Sequence, residues 1–174
     1  MIKVLGIKII DRIKEAGLTQ EILSKHASVI TTRLGFHEVT DNVCSREAYI
    51  ILHLKDENAE SERLIKELEP LGGIMTMEMT FSEDGNKSGD KQVEGTTEII
   101  GILVKRDREV IQSVQKLLTA YGCYIRTRLG VNEIFFGEPS GLIILELTGD
   151  PKQRDLLEND LKTLRDVHVR KMVF

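Results

Sequence analysis

The chain has 174 residues, 41% apolar and 30% charged, enough apolar content for a packed core beneath a solvated surface. A formal net charge of −4 lacks the basic balance on which phosphate-backbone binding depends, so no nucleic-acid partner is expected. Cys44 and Cys123 have neither the density nor the spacing of a disulfide framework, and "MIKVLGIKII" is too short to span a bilayer, so a cytoplasmic protein without a membrane partner is expected.

In chain order, "VLGIKII" is a run of the length of a buried strand. A helix follows, with a thin apolar row at Ala16, Thr19, Ile22, Leu23 and His26 and a weakening glycine at Gly17. Then come the strand-like phrase "TTRLGFHEV", a polar loop, and the β-branched strand "YIILHLK". A second helix starts at Asp56 and buries Leu64, Leu68 and Leu71, and "IMTMEMTF" is the last strand of the set. Residues 82–96, "SEDGNKSGDKQVEGT", are polar and glycine-containing, the composition of a linker.

The order then repeats. "EIIGILV" is a strand, and Val110, Ile111, Val114, Leu117, Leu118 and Tyr121 recur at helical spacing. "RTRLGVNEI" echoes the earlier phrase and "LIILELT" the earlier strand. Asp150-Pro151 offers an N-cap with proline at the first helical position, ahead of Leu157, Leu161 and Leu164. "VHVRKMVF" closes the set. A shift of 95 positions aligns the first halves of the two sets without a gap, and a shift of 93 aligns the remainder after a shorter loop in the second. A colinear match of this extent implies internal duplication. The expected architecture is therefore α+β: two β-α-β-β-α-β ferredoxin-like repeats over residues 1–81 and 97–174, joined by the 82–96 linker. Each antiparallel sheet should carry both helices on one face and leave the other open.

Alternation in the repeated phrase sends Ile30, Thr32, Leu34 and Phe36 to one face and Thr31, Arg33, Gly35 and His37 to the other. If the apolar set covers the helices, Arg33 and its counterpart Arg128 point to the open face, beside Gly35 and Gly130. Two readings stand open. The guanidinium groups hold an anionic metabolite or amino acid where the copies meet, with Arg33, Gly35, Glu38, Arg128, Gly130 and Glu133 as binding residues. Alternatively they pair with Glu38, Glu133 or other acids and fix an interface in an assembly module that takes no ligand.

The motif from Tyr121-Gly122 through Ile125, Arg126, Arg128, Leu129 and Gly130 resembles the small regulators assigned to the iron-only hydrogenase system. These belong among ACT-like domains, near the metal-sensing C-terminal domain of the nickel-responsive repressor. The resemblance covers residues 97–174 and, less closely, 1–81, and having two copies in one chain departs from the usual single-domain member. It implies an oligomeric sensor or regulatory module with no catalysis of its own; self-association through edge strands or open sheet faces is what the fold itself leads one to expect. The resemblance also raises a transition metal such as nickel as a ligand, through His37 and Cys44, although Gly35 stands where the repressor has a further histidine. With two candidate ligands, no cofactor is expected as the leading case. No phosphate-cradling loop or nucleophile elbow is present, so no enzyme is expected.

Overall fold

The computed structural model describes residues 1–37, 39–40, 43–55, 59–82, 97–105 and 107–174, the short pieces at 39–40 and 43–44 by backbone only. The chain divides into two compact units, Met1–Thr80 and Phe81–Phe174. Each is a ferredoxin-like, ACT-like repeat.

In the first unit, β1 (Ile2–Ile9) leads to α1 (Arg12–Lys25), then β2 (Ile30–Phe36), the two short strands β3 (Val39–Thr40) and β4 (Val43–Cys44), β5 (Ala48–Leu54), α2 (Ala59–Leu68) and β6 (Ile74–Phe81). The main sheet runs β2-β5-β1-β6, with β1 and β2 both antiparallel to β5. The second unit has β7 (Glu98–Lys105), α3 (Arg108–Ala120), β8 (Ile125–Phe135), β9 (Glu138–Leu147), α4 (Pro151–Thr163) and β10 (Val167–Val173), in the order β10-β7-β9-β8. Read from the β8 side, this is the order of the first unit. Among the described residues, no helix is long and apolar enough to cross a membrane.

The helices start where side chains can satisfy their free amides. Asp11 accepts from the amide of Ile13, Asp107 from those of Glu109 and Val110, and Asp150 from that of Lys152 ahead of Pro151. Start Asp56 of the second helix falls outside the described residues; the described part of α2 starts at Ala59. Both helices of each unit pack on one face of its sheet. In the first unit Leu5, Ile7, Ile50 and Leu52 meet Leu23, Leu64 and Leu68. In the second, Ile100, Ile102, Ile143 and Leu145 meet Val114, Leu118, Leu157 and Leu161. Each fully buried leucine contributes roughly 1.5–3 kcal/mol, so these rows hold the helices down.

The loop that the repeats do not share is where their shapes diverge. In the second unit β8 and β9 join through Phe136 and Gly137, with φ of 54° and 79°, a two-residue turn whose twist matches that of the flanking strands. In the first unit the chain between β2 and β5 contains the extra β3–β4 pair, in which Val39 stands opposite Cys44. The 82–96 segment, apart from Ser82, lies outside the described residues.

Candidate functional site

The repeated phrase forms the edge strands β2 and β8, but the faces are the reverse of those expected from simple alternation. In β8, Ile125 stands opposite Leu147, and the next pair is Thr127 with Glu146, leaving Arg126 as an extra residue. β2 does the same: Ile30 pairs with Leu54, Thr32 with His53, and Thr31 is extra. One inserted residue exchanges the faces of all that follow. Arg128 is therefore level with Leu145, and Gly130 with Ile143, both on the helix-bearing face. Arg33 and Gly35 are likewise level with the core residues Leu52 and Ile50. The arginines thus face the helices, not the helix-free side of the sheet. The helix-free face instead takes Thr127, Leu129 and Val131, and there Thr127 donates at 2.6 Å to the buried carboxylate of Glu146, which also receives Arg126 at 3.3 Å.

On the helix-bearing face the two arginines have different surroundings. Arg33 donates to Oε1 of Gln20, on α1, at 2.7 Å. Gln115 occupies the position of Gln20 on α3, and with Arg128 it lines a cleft of about 210 Å³. Among the described residues Arg128 has no hydrogen-bond or ion-pair partner. The cleft lies between the middle of α3 and the edge of the second unit's sheet, and Gly130 and Asn132 of β8 and Gly141 of β9 form part of its floor. A Cβ at Gly130 would meet nothing within 4 Å, and one at Gly141 would meet Oδ1 of Asn132 at 3.5 Å. Ile111, read from its spacing as a core residue, stands 36% exposed at this cleft.

The structure brings Arg128 and Gly130 together, and Arg33 and Gly35, one pair in each unit. Glu133 pairs with Ser140, one residue out of step with Asn132, and so lies on the helix-free face away from Arg128. Glu38 lies outside the described residues. Of the two metal candidates, His37 is exposed just beyond β2, and the side chain of Cys44 is outside the described residues. Among the described residues no three His, Cys, Asp or Glu side chains converge on a position suited to a metal ion. Gln115, Asn132 and Ser140 are polar cleft residues that sequence reasoning passed over. The matching of Gln20 with Gln115 across the repeat was the available signal for the first.

Two other polar clusters are structural in character. His26 is buried at the end of α1, with Nδ1 2.6 Å from Glu60 and Nε2 3.3 Å from Glu67. Tyr121 occupies the same position in the second unit and donates to Asp160 at 2.7 Å, so each pair joins the two helices of its unit. A smaller hollow of about 80 Å³ places Lys105, Glu138, Ser140 and His168 near one another; burial, with Arg170 and Lys105, holds the His168 imidazole below its ordinary pKa.

No family model and no curated protein matches the chain. Among solved structures, an uncharacterized protein from Thermotoga maritima is 24% identical, over 44% of this chain and 92% of that one, with a TM-score of 0.39. The acetolactate synthase small subunit from Thermotoga maritima is 12% identical over 99% and 96% of the two chains, with a TM-score of 0.36. The regulatory subunit of aspartate kinase from Thermus flavus is 14% identical over 83% and 82%, with a TM-score of 0.37.

Proposed function

We propose that this chain is a non-catalytic regulatory module whose second repeat binds a small anionic metabolite in the cleft between α3 and β8. One observation carries the reading: a guanidinium without a partner among the described residues, Arg128, lines a cleft together with two neutral amides. Such a group offers two parallel donors to a carboxylate, the geometry in which arginine binds anions most strongly. In the first repeat the same space is answered internally, because Gln20 already accepts from Arg33. The resemblance of the Tyr121–Gly130 motif to regulators assigned to the iron-only hydrogenase system supports a regulatory role and names the process to test first.

A thermal-shift screen over small carboxylates, amino acids, nucleotides and divalent metals tests this. The expected result is stabilisation by an anion that disappears in Arg128→Ala and persists in Arg33→Ala. Stabilisation unaffected by Arg128→Ala would refute the site. A second reading is an assembly module that takes no ligand. It is favoured by the edge position of β8 and by Ile134, which is 73% exposed near the end of that strand. It predicts a change in oligomer size by gel filtration for Ile134→Lys, and no anion response.

A further inference from the structure

Resting on that reading, we infer that the cleft selects a short aliphatic monocarboxylate that carries no ammonium group, and discriminates against amino acids and phosphate. The argument starts from its charge inventory. Among the described residues lining the cleft Arg128 is the one charged side chain, Gln115 and Asn132 are neutral, and none is a carboxylate. One guanidinium compensates one negative charge. The α-ammonium of an amino acid would enter without an acid to receive it, and an unpaired charge removed from water is strongly disfavoured.

Phosphate fits no better. An arginine can bind phosphate as it binds carboxylate, but phosphate sites commonly add the free amides of a helix N-terminus or of a backbone nest to balance the second charge. This cleft is lined on its helical side by Ile111, Val114 and Gln115, inside α3, which starts at Arg108. Amides beyond the first turn are committed to the helix and do not point at a ligand.

Apart from Ser140, whose hydroxyl donates to the carbonyl of Glu138, the other described lining residues are apolar or glycine. Ile111 and Val114 of α3 stand across from Ile143 of β9, whose cross-strand partner Gly130 contributes no side chain. The missing Cβ leaves space on the arginine's own face of the sheet, one pair along from it. A cavity of about 150 Å³ holds a benzene-sized molecule, so the 210 Å³ here suits a carboxylate with a tail of a few carbons. The volume lies below the usual range for drug-sized ligands, which argues against a nucleotide. Donors from Gln115 and Asn132 would add hydrogen bonds to a 2-oxo group, which is polar without being cationic.

Isothermal titration calorimetry of the full chain with isocaproate, α-ketoisocaproate, L-leucine and inorganic phosphate tests the inference. These probes share a tail or a charge and differ in the group at issue. Isocaproate and α-ketoisocaproate should bind with micromolar-to-millimolar affinity, L-leucine at least tenfold more weakly, and phosphate without measurable heat. Binding should be lost in Arg128→Ala and in Gly130→Val, whose Cβ has open space to enter, with nothing within 4 Å. L-leucine or phosphate binding as tightly as isocaproate through Arg128 would overturn this ligand class and leave the anion-binding reading intact. Absence of binding by both leucine-shaped acids would also overturn it; if no anion in the wider screen depends on Arg128, the functional reading falls with it.

Discussion

Glu158 on α4 is the most informative side chain to remove. Only 11% exposed, its carboxylate contacts Lys171 of β10 at 2.6 Å and Lys162 at 2.5 Å. Burial opposes its ionisation, but the two ammonium groups outweigh burial and hold its pKa below the ordinary range. In the first unit the equivalent position is Ile65, which is buried in the core, so an apolar residue fits this place in the fold. Glu158→Ile alone nevertheless strands Lys171, which is 14% exposed and keeps only Asp155 at 3.8 Å among its direct partners on α4. Breaking a fully buried pair costs about 3–5 kcal/mol. The remaining exposure and the Asp155 contact reduce this to about 2 kcal/mol, because surface-screened pairs are weak. For a unit of this size that lowers the melting temperature by about 10 °C. Adding Lys171→Met removes the stranded charge, and the double variant should return to within about 1 kcal/mol of the parent. Urea unfolding followed by circular dichroism, read on the transition of the second unit, provides the measurement. The pH dependence carries a sign. With its folded pKa depressed, Glu158 adds stability above its unfolded pKa and loses it as pH falls through the folded value. The double variant should therefore have the flatter acid limb. A silent single variant, or a double variant no better than the single, would refute the reasoning.

Other expectations follow from the same geometry. Arg128→Ala without ligand should change stability by less than about 0.5 kcal/mol, because no described partner is lost; a larger shift in urea midpoint would mean that the guanidinium supports the fold. Gly149, at φ 77° and with a built Cβ 3.0 Å from Cδ1 of Tyr124, should lose about 1–2 kcal/mol on substitution by Ala, whereas Gly130→Ala should be nearly neutral by thermal melting. The carboxyl of Glu60 is held low first by His26 and then by Arg63, and that of Glu67 by Lys25 and then His26. Depressed folded values again mean stability that is present at neutral pH and lost in acid. His26→Phe should remove part of that acid sensitivity, visible as a shallower fall in melting temperature below pH about 4.5; an unchanged acid limb would exclude the histidine as its source.

Duplication, element order and the Asp150 cap were legible in the sequence because each rests on local chemistry: apolar period, turn residues and a side chain that accepts from a free amide. The caps Asp11 and Asp107 were not read from the sequence. The orientation of Arg33 and Arg128 was not legible. Reading "ITTRLGF" as an uninterrupted strand fixes every face from its first residue, and the bulges at Thr31 and Arg126 reverse that assignment after one step. Both bulged residues are polar and lie on an edge strand, so the residue pattern gives no mark of the insertion. Ile111 shows the complementary limit. Its helical spacing is that of a core residue, yet the glycine across from it on the sheet leaves the cleft into which it looks. Periodicity identifies a face, and only the partner strand decides whether that face is filled.

The most direct measurement of the central claim is a titration of the isotopically labelled full chain with isocaproate, followed by amide chemical shifts in solution. The account predicts saturable changes at residues 111–115, 128–132 and 141–143, with residues 20, 33 and 35 unmoved. Equal changes around Arg33, or changes confined to the helix-free face of the second sheet, would contradict it.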